Sequence, residues 1–292
     1  MKKILLILLF ASQVFAQSEL LLLFDDGGYD ADAKVYFDAM TTPLSNSQKA
    51  RVNTFVKMLK DSLGISSLSS KFDVMYLLAN ETAEAGLRNL VKRSHDATAV
   101  NSPTFTQWEG FQGNGTSSYI NTNYNARTQA SAYTLNSASF GIYLRTNTVG
   151  SNYDVWGAWS TSADGGNANR IQLSFPASSA VNTYSYALNA DVDLYTATRS
   201  NGMFITSRTS STNISFYINK SSVTSASRAV TKIPNQNVLL CALNEAFSNP
   251  NHFDANQVSF AFLGAVLTDT EVRKLTNCVE AYLDDLGKGV IP

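Results

Sequence analysis

The sequence predicts a mainly β protein: a β-sandwich preceded by a small helical region and closed by a C-terminal helix. Three observations point there. Charged residues are only 15% of the 292-residue chain, against roughly 25% in average soluble proteins. Ser, Thr and Asn replace them, and these suit turns and the solvent faces of strands better than helices. From about Ser102, short β-branched and aromatic segments alternate with Gly, Ser, Asn and Thr clusters, the pattern of a sandwich. Helical periodicity is confined to the two ends, and no repeat of fixed period argues for a solenoid or propeller.

The elements follow in chain order. Met1–Ala16 (MKKILLILLFASQVFA) has two lysines, an apolar run and small residues before a cleavage point, the pattern of a secretory signal peptide. The run is too short to span a bilayer, and a retained anchor is the alternative. Removing it takes away two lysines and no acids, moving net charge from −1 to −3. Residues 17–98 read as the helical N-terminal region. Asp30 caps a short helix through Met40, and Pro43 breaks the chain. Ser45 with Gln48 forms a capping box. Val52, Phe55, Val56, Leu59 and Leu63 then follow at helical spacing, with Gly64 as the C′ residue. Phe72–Leu78 (FDVMYLL) is a continuous apolar run that fits a strand or a buried helix. Asn80 caps a further helix carrying Leu87, Leu90 and Val91.

Residues 99–292 read as the sandwich with its closing helix. Ala97–Asn125 reads as a strand, a Gly-rich turn and a second strand. Its Gly110, Gly113 and Gly115 are turn residues and not a phosphate loop, because no helix follows them. Further strands are expected at Phe140–Thr146, Asp154–Trp159, Ile171–Phe175, Tyr184–Leu188, Met203–Arg208, Ile214–Asn219, Val238–Leu243 and Val258–Leu263. Thr268 and Glu271 form a second capping box. Val272, Leu275, Val279, Tyr282, Leu283 and Leu286 make one apolar stripe, and Gly287 ends it.

Little in the sequence carries chemistry. Net charge is −1 with no basic cluster, so nucleic acid is excluded as a partner. His95 and His252 lack a partner motif, and no G-x-S-x-G or H-E-x-x-H occurs. Asp191-Val192-Asp193 places two carboxylates on one strand face, the pattern a retaining glycosidase needs, though a turn explains it equally. Asp25, Asp26, Asp30 and Asp32 surround Gly27-Gly28 without EF-hand spacing. Capping explains them as well as calcium does, and we expect neither metal nor cofactor. Cys241 and Cys278 are candidates for a disulfide, or two small buried hydrophobes. Tyr153, Asp154 and Trp156 are the candidate glycan site, with an aromatic face for a sugar ring and a carboxylate for its hydroxyls. Trp159 falls on the other face of a regular strand, so at least one tryptophan belongs to the core.

Residues 102–125 (SPTFTQWEGFQGNGTSSYINTNYN) resemble a signature of phage and prophage virion proteins that carry a concanavalin-like, laminin-G-like jelly roll. DADAKVYFDAM, PLSNSQKARVNTFVKMLKDSLG and KFDVMYLLANETAEAGLRNLV resemble the segments that precede that module. TLNSASFGIYLRTN resembles an early strand, and LTDTEVRKLTNCVEAYLDDLG its closing helix. The resemblance covers most of residues 30–287. It implies a non-enzymatic virion structural or surface protein of fibre, tail or capsid-decorating type. It further implies other virion proteins as partners, a homo-oligomer (a trimer by analogy) and contact with host-surface polysaccharide. The export-like N-terminus departs from the pattern. It leaves open a retained anchor, a membrane-associated assembly, or a secreted bacterial adhesin or polysaccharide-acting enzyme with the same module.

Overall fold

A computed structural model describes residues 28–147, 154–160, 169–175, 181–198, 200–245 and 249–292. Two antiparallel-dominated sheets face each other, and helices cover the outside of one of them. The front region supplies α1 (Ala31–Phe37), α2 (Asn46–Leu63), β1 (Phe72–Tyr76) and α3 (Ala83–Leu87). α1 is capped by Asp30 as expected but stops before Met40. Ser45 Oγ accepts from Gln48 N at the start of α2, and Gly64 at φ +67° closes it; the expected capping box is only half formed, because the Gln48 side chain turns to Asn80 and Tyr282 and Glu81 takes the Ser45 N–H. The cap of α3 is Thr82 and not Asn80. The Asn80 side chain is instead buried, donating to Tyr36 Oη and accepting from Gln48 Nε2. Within Phe72–Leu78, Phe72–Tyr76 forms the strand and is buried on both faces, which is why its apolar run is unbroken. β1 joins a sheet of the sandwich by pairing with the strand Gln257–Gly264, so the front region contributes a strand to it.

Ala97–Asn125 forms four short strands rather than two: β2 (Thr98–Val100), β3 (Thr104–Thr106), β4 (Gly110–Gln112) and β5 (Tyr119–Asn121). β2 pairs with β5 in one sheet and β3 with β4 in the other. Asn101 and Ser102, both at positive φ, lie where the chain crosses between them. A short helix, α4 (Ala126–Gln129), precedes the long strands.

Those strands are β6 (Ala138–Leu144), β7 (Asp154–Trp159), β8 (Arg170–Phe175), β9 (Val181–Ala190), β10 (Asp193–Thr198), β11 (Gly202–Arg208), β12 (Asn213–Ile218) and β13 (Ser221–Ser227). β14 (Leu239–Leu240), β15 (Leu243–Glu245), β16 (Asn249–Asn251), β17 (Gln257–Gly264) and the closing helix α5 (Asp269–Asp285) follow. The first sheet runs β13-β12-β11-β6-β17-β4-β3, with β1 also on β17; the second runs β10-β9-β8-β7-β14-β5-β2, with β15 on β7 and β16 on β15. The expected strand Val238–Leu243 is broken in two, because Cys241 adopts φ +62°. Its first half pairs antiparallel with β5, and its second half runs parallel to β7.

Alternation along the first sheet divides its side chains between two cores. Phe140, Ile142, Phe204, Ile214, Phe216 and Leu263 point between the sheets. Tyr143, Met203, Ile205, Tyr217, Phe260 and Phe262 point outward and pack with Val52, Phe55, Leu59, Val272, Leu275, Val279 and Leu283 of the helices. The second capping box forms as expected at Thr268 and Glu271. Cys241 lies in the inter-sheet core and Cys278 in the helix-covered one, with no disulfide between them. The first sheet separates them, so the expected disulfide candidate is corrected to two buried thiols. Burial pushes the Cys278 thiol up, partly opposed by a contact with Ser62 Oγ at 3.7 Å.

One buried carboxylate ties the front region to the sandwich. Asp73 is fully buried, at a register shift in the β1–β17 pairing. It accepts from Ser131 Oγ and from the backbone N–H groups of Ser131, Ala132 and Tyr133, at 2.6 to 3.2 Å. Burial alone would raise its pKa, but these donors outweigh it and hold the carboxyl below the usual range.

Candidate functional site

The two tryptophans of β7 sit three residues apart, so strand alternation sends them to opposite faces. Trp156 points inward and is fully buried. Its indole N–H donates to Asp254 Oδ2 at 2.7 Å, and its ring meets Phe175 edge-on. It offers no face to a sugar, which corrects its place in the glycan site expected from sequence. Asp154 begins β7 with its backbone paired to Phe175, and Tyr153 lies outside the described residues. Trp159 is the residue that reaches the outer face of the second sheet. Gly157 between them sits at φ +134°, where a Cβ would collide with the Ile171 carbonyl. Only glycine lets β8 approach β7 this closely.

A cavity of about 300 Å³ lies on that outer face. Gln172, Ser174 and Ser185 from β8 and β9 form its floor, and Trp159, Arg170, Leu194 and His252 stand around it. Its polar groups are tied to one another. Arg170 Nη1 donates to Gln172 Oε1 at 3.1 Å, and Gln172 Nε2 donates to Ser185 Oγ at 2.8 Å. Ser185 and Ser174 share a short hydroxyl contact. The Arg170 guanidinium stacks 3.8 Å from the centre of the Trp159 ring. Leu194 remains 65% exposed beside them. Aromatic and apolar surface next to a fixed row of amide, hydroxyl and guanidinium groups suits a ligand with both apolar faces and many hydroxyls. Among the described residues, no helix packs on this face.

The other acids and His95 are accounted for by structural contacts. Asp191 lies 3.7 Å from Arg170 Nε, while Asp193 accepts from Arg228 Nε at 2.9 Å. The two acids therefore face different arginines. Asp30 and Asp32 are both neutralised by Lys60, at 2.8 and 3.3 Å, and Asp25 and Asp26 lie outside the described residues. Glu109 is held by Lys288 at 2.5 Å, with Arg145 at 3.5 Å. The hydrogen bond from Lys288 leads in pulling its carboxyl below the usual range. His95 Nδ1 contacts the Asn123 carbonyl at 3.0 Å. A second cavity, about 310 Å³, lies between α2 and α5 and is mainly apolar, with the Arg51–Asp285 ion pair at its rim.

The sequence reading took Trp156, which the structure buries, and did not single out Arg170, Gln172 or Ser185, which line the outer cavity with Trp159. The available signal was the alternation in Arg170-Ile-Gln-Leu-Ser-Phe, where Ile171 and Leu173 mark the inward face and so place Gln172 and Ser174 outside with Trp159.

No family model and no curated protein matches the chain. Solved structures do. A mutant of Trypanosoma rangeli sialidase displaying trans-sialidase activity aligns at a TM-score of 0.54 and 12% identity, over 82% of this chain and 39% of that one. Trypanosoma rangeli sialidase in complex with sialic acid aligns at 0.51 and 13%, over 85% and 40%. Domain 4 of AbnA, an extracellular arabinanase from Geobacillus stearothermophilus, solved with arabinotriose, aligns at 0.43 and 14%, over 70% and 98%. The chain thus spans about 40% of the sialidases it matches, and the likeness is one of fold. The sequence-based expectation of a non-enzyme is corrected at this point: the similar sialidases are enzymes.

Proposed function

We propose that this chain binds carbohydrate through the outer face of its second sheet, with Trp159 as the stacking platform and Gln172, Ser174 and Ser185 as the hydroxyl-binding floor. The observation that carries the reading is Trp159 beside a polar floor already held in place by its own hydrogen bonds. Such a floor needs little reordering on binding, which favours affinity. A protein of similar fold was solved with sialic acid bound, which agrees with a sugar ligand. Work outside the cytoplasm fits the signal-like N-terminus, and intact-mass measurement showing loss of Met1–Ala16 tests that placement. Mass spectrometry of purified phage particles tests the virion placement that the resemblance implies.

The central experiment is glycan-array binding of the purified chain, with sugar release from bound glycans measured alongside. Trp159→Ala weakens binding about tenfold, and Trp156→Ala acts only through loss of folding. Binding that survives Trp159→Ala in a folded protein overturns the assignment.

A further inference from the structure

We propose that Arg170 sets the specificity of this face and that its ligand is a carboxylated sugar; the inference rests on the glycan reading above. The guanidinium is fixed at two points. Its plane lies on Trp159, and Nη1 is committed to Gln172. The opposite edge, made of Nε and Nη2, forms no hydrogen bond among the described residues. That edge carries two parallel N–H donors, the fork that matches a carboxylate in bidentate fashion, although Nε is buried while Asp191 stands beside it. Among the described residues Asp191 is the acid within ion-pair reach, and at 3.7 Å from Nε it lies beyond hydrogen-bond distance. Its side chain is 53% exposed, so it can swing aside at little loss of packing. Among the described residues no carboxylate lines the cavity itself, and His252 stands at its wall, while Asp191 and Glu245 act on Arg170 from beside it. A neutral sugar would leave the Nε–Nη2 edge unfilled. A uronic or sialic acid fills it with the carboxylate while the sugar ring packs against Trp159.

Asp191 then acts as a placeholder that the ligand carboxylate displaces. Isothermal titration with trigalacturonate against galactotriose, and with sialyllactose against lactose, tests this and separates the two carboxylate sources. At least one acidic ligand should bind at least tenfold more tightly than its neutral counterpart, and that preference should shrink in high salt. Arg170→Gln should remove the preference, lowering acidic-ligand affinity about 10- to 100-fold. Asp191→Asn should raise acidic-ligand affinity several-fold, a gain that damage to the fold cannot produce. Equal binding of acidic and neutral sugars, or loss of affinity in Asp191→Asn, overturns the proposal while leaving the glycan reading intact. Binding of none of the four sugars, nor of any array glycan, overturns the glycan reading itself.

Discussion

The two sheets follow the same alternating rule on their inner faces and differ on their outer ones. Outside the first sheet stand Tyr143, Met203, Ile205, Phe260 and Phe262, all sealed under α2 and α5. Outside the second stand Trp159, Arg170, Gln172, Ser174, Ser185 and Leu194, around a cavity. The central strands of the first sheet are therefore apolar on both faces, and β8 of the second is apolar on one. The difference teaches that sidedness, and not strand content, marks where a ligand can reach this sandwich. The largest expected effects come from opening the sealed side. Phe262→Ala should destabilise by about 3–5 kcal/mol, because a fully buried ring leaves a cavity that its neighbours fill only partly. Urea denaturation measures it. A loss below about 1 kcal/mol would show that the helix layer is not packed as described.

Next in size is Asp73, which joins the front region to the loop before β6. Asp73→Asn should cost about 1.5–3 kcal/mol, the range for hydrogen bonds to a charged group. Because the folded-state pKa is depressed, the stability it contributes is present above the unfolded pKa of about 3.9. That stability is lost as pH falls through the lower folded value. Stability of the wild type should fall below about pH 4 more steeply than that of Asp73→Asn. Parallel acid limbs would remove Asp73 from this role.

On the ligand side the readout changes from stability to binding. Trp159→Ala should reduce glycan affinity about tenfold, near the 1.4 kcal/mol that an aromatic contact supplies beyond its buried area. Its unfolding midpoint should stay close to wild type. Trp156→Ala, three residues away, should do the reverse: a large loss of stability from an emptied core position, with binding following the folded fraction. Equal behaviour of the two variants would erase the distinction between the faces of β7.

Much of this was legible because its signals are local. Ser45 with Gln48, and Thr268 with Glu271, announce their helices within one turn, and Gly64 closes the first of them. β7 carries its own alternation. The missed strands β10 and β13 lie at sheet edges, where Asp193–Thr198 and Ser221–Ser227 need only polar, partly exposed side chains. Such segments read as loops. Val238–Leu243 looked continuous because nothing in its composition announces the positive φ at Cys241. The site failed for a different reason. Alternation separates Trp156 from Trp159, but which face meets the other sheet depends on partners distant in sequence. Asp254, which takes the indole hydrogen of Trp156, is 98 residues away.

The smallest expected effect is the most direct test of the comparison. Leu194 on β10 is 65% exposed, so truncating it removes little apolar surface that folding had buried. Leu194→Ser should change stability by no more than about 0.5 kcal/mol, as surface substitutions usually do. Ile205→Ala, its counterpart beneath the helices, is fully buried and should cost about 2–5 kcal/mol. Chemical denaturation of the pair reads the coverage of each face directly. If Leu194→Ser cost more than about 2 kcal/mol, its side chain would have to be buried in the folded protein. The second sheet would then be covered as the first is, and no sugar could reach Trp159.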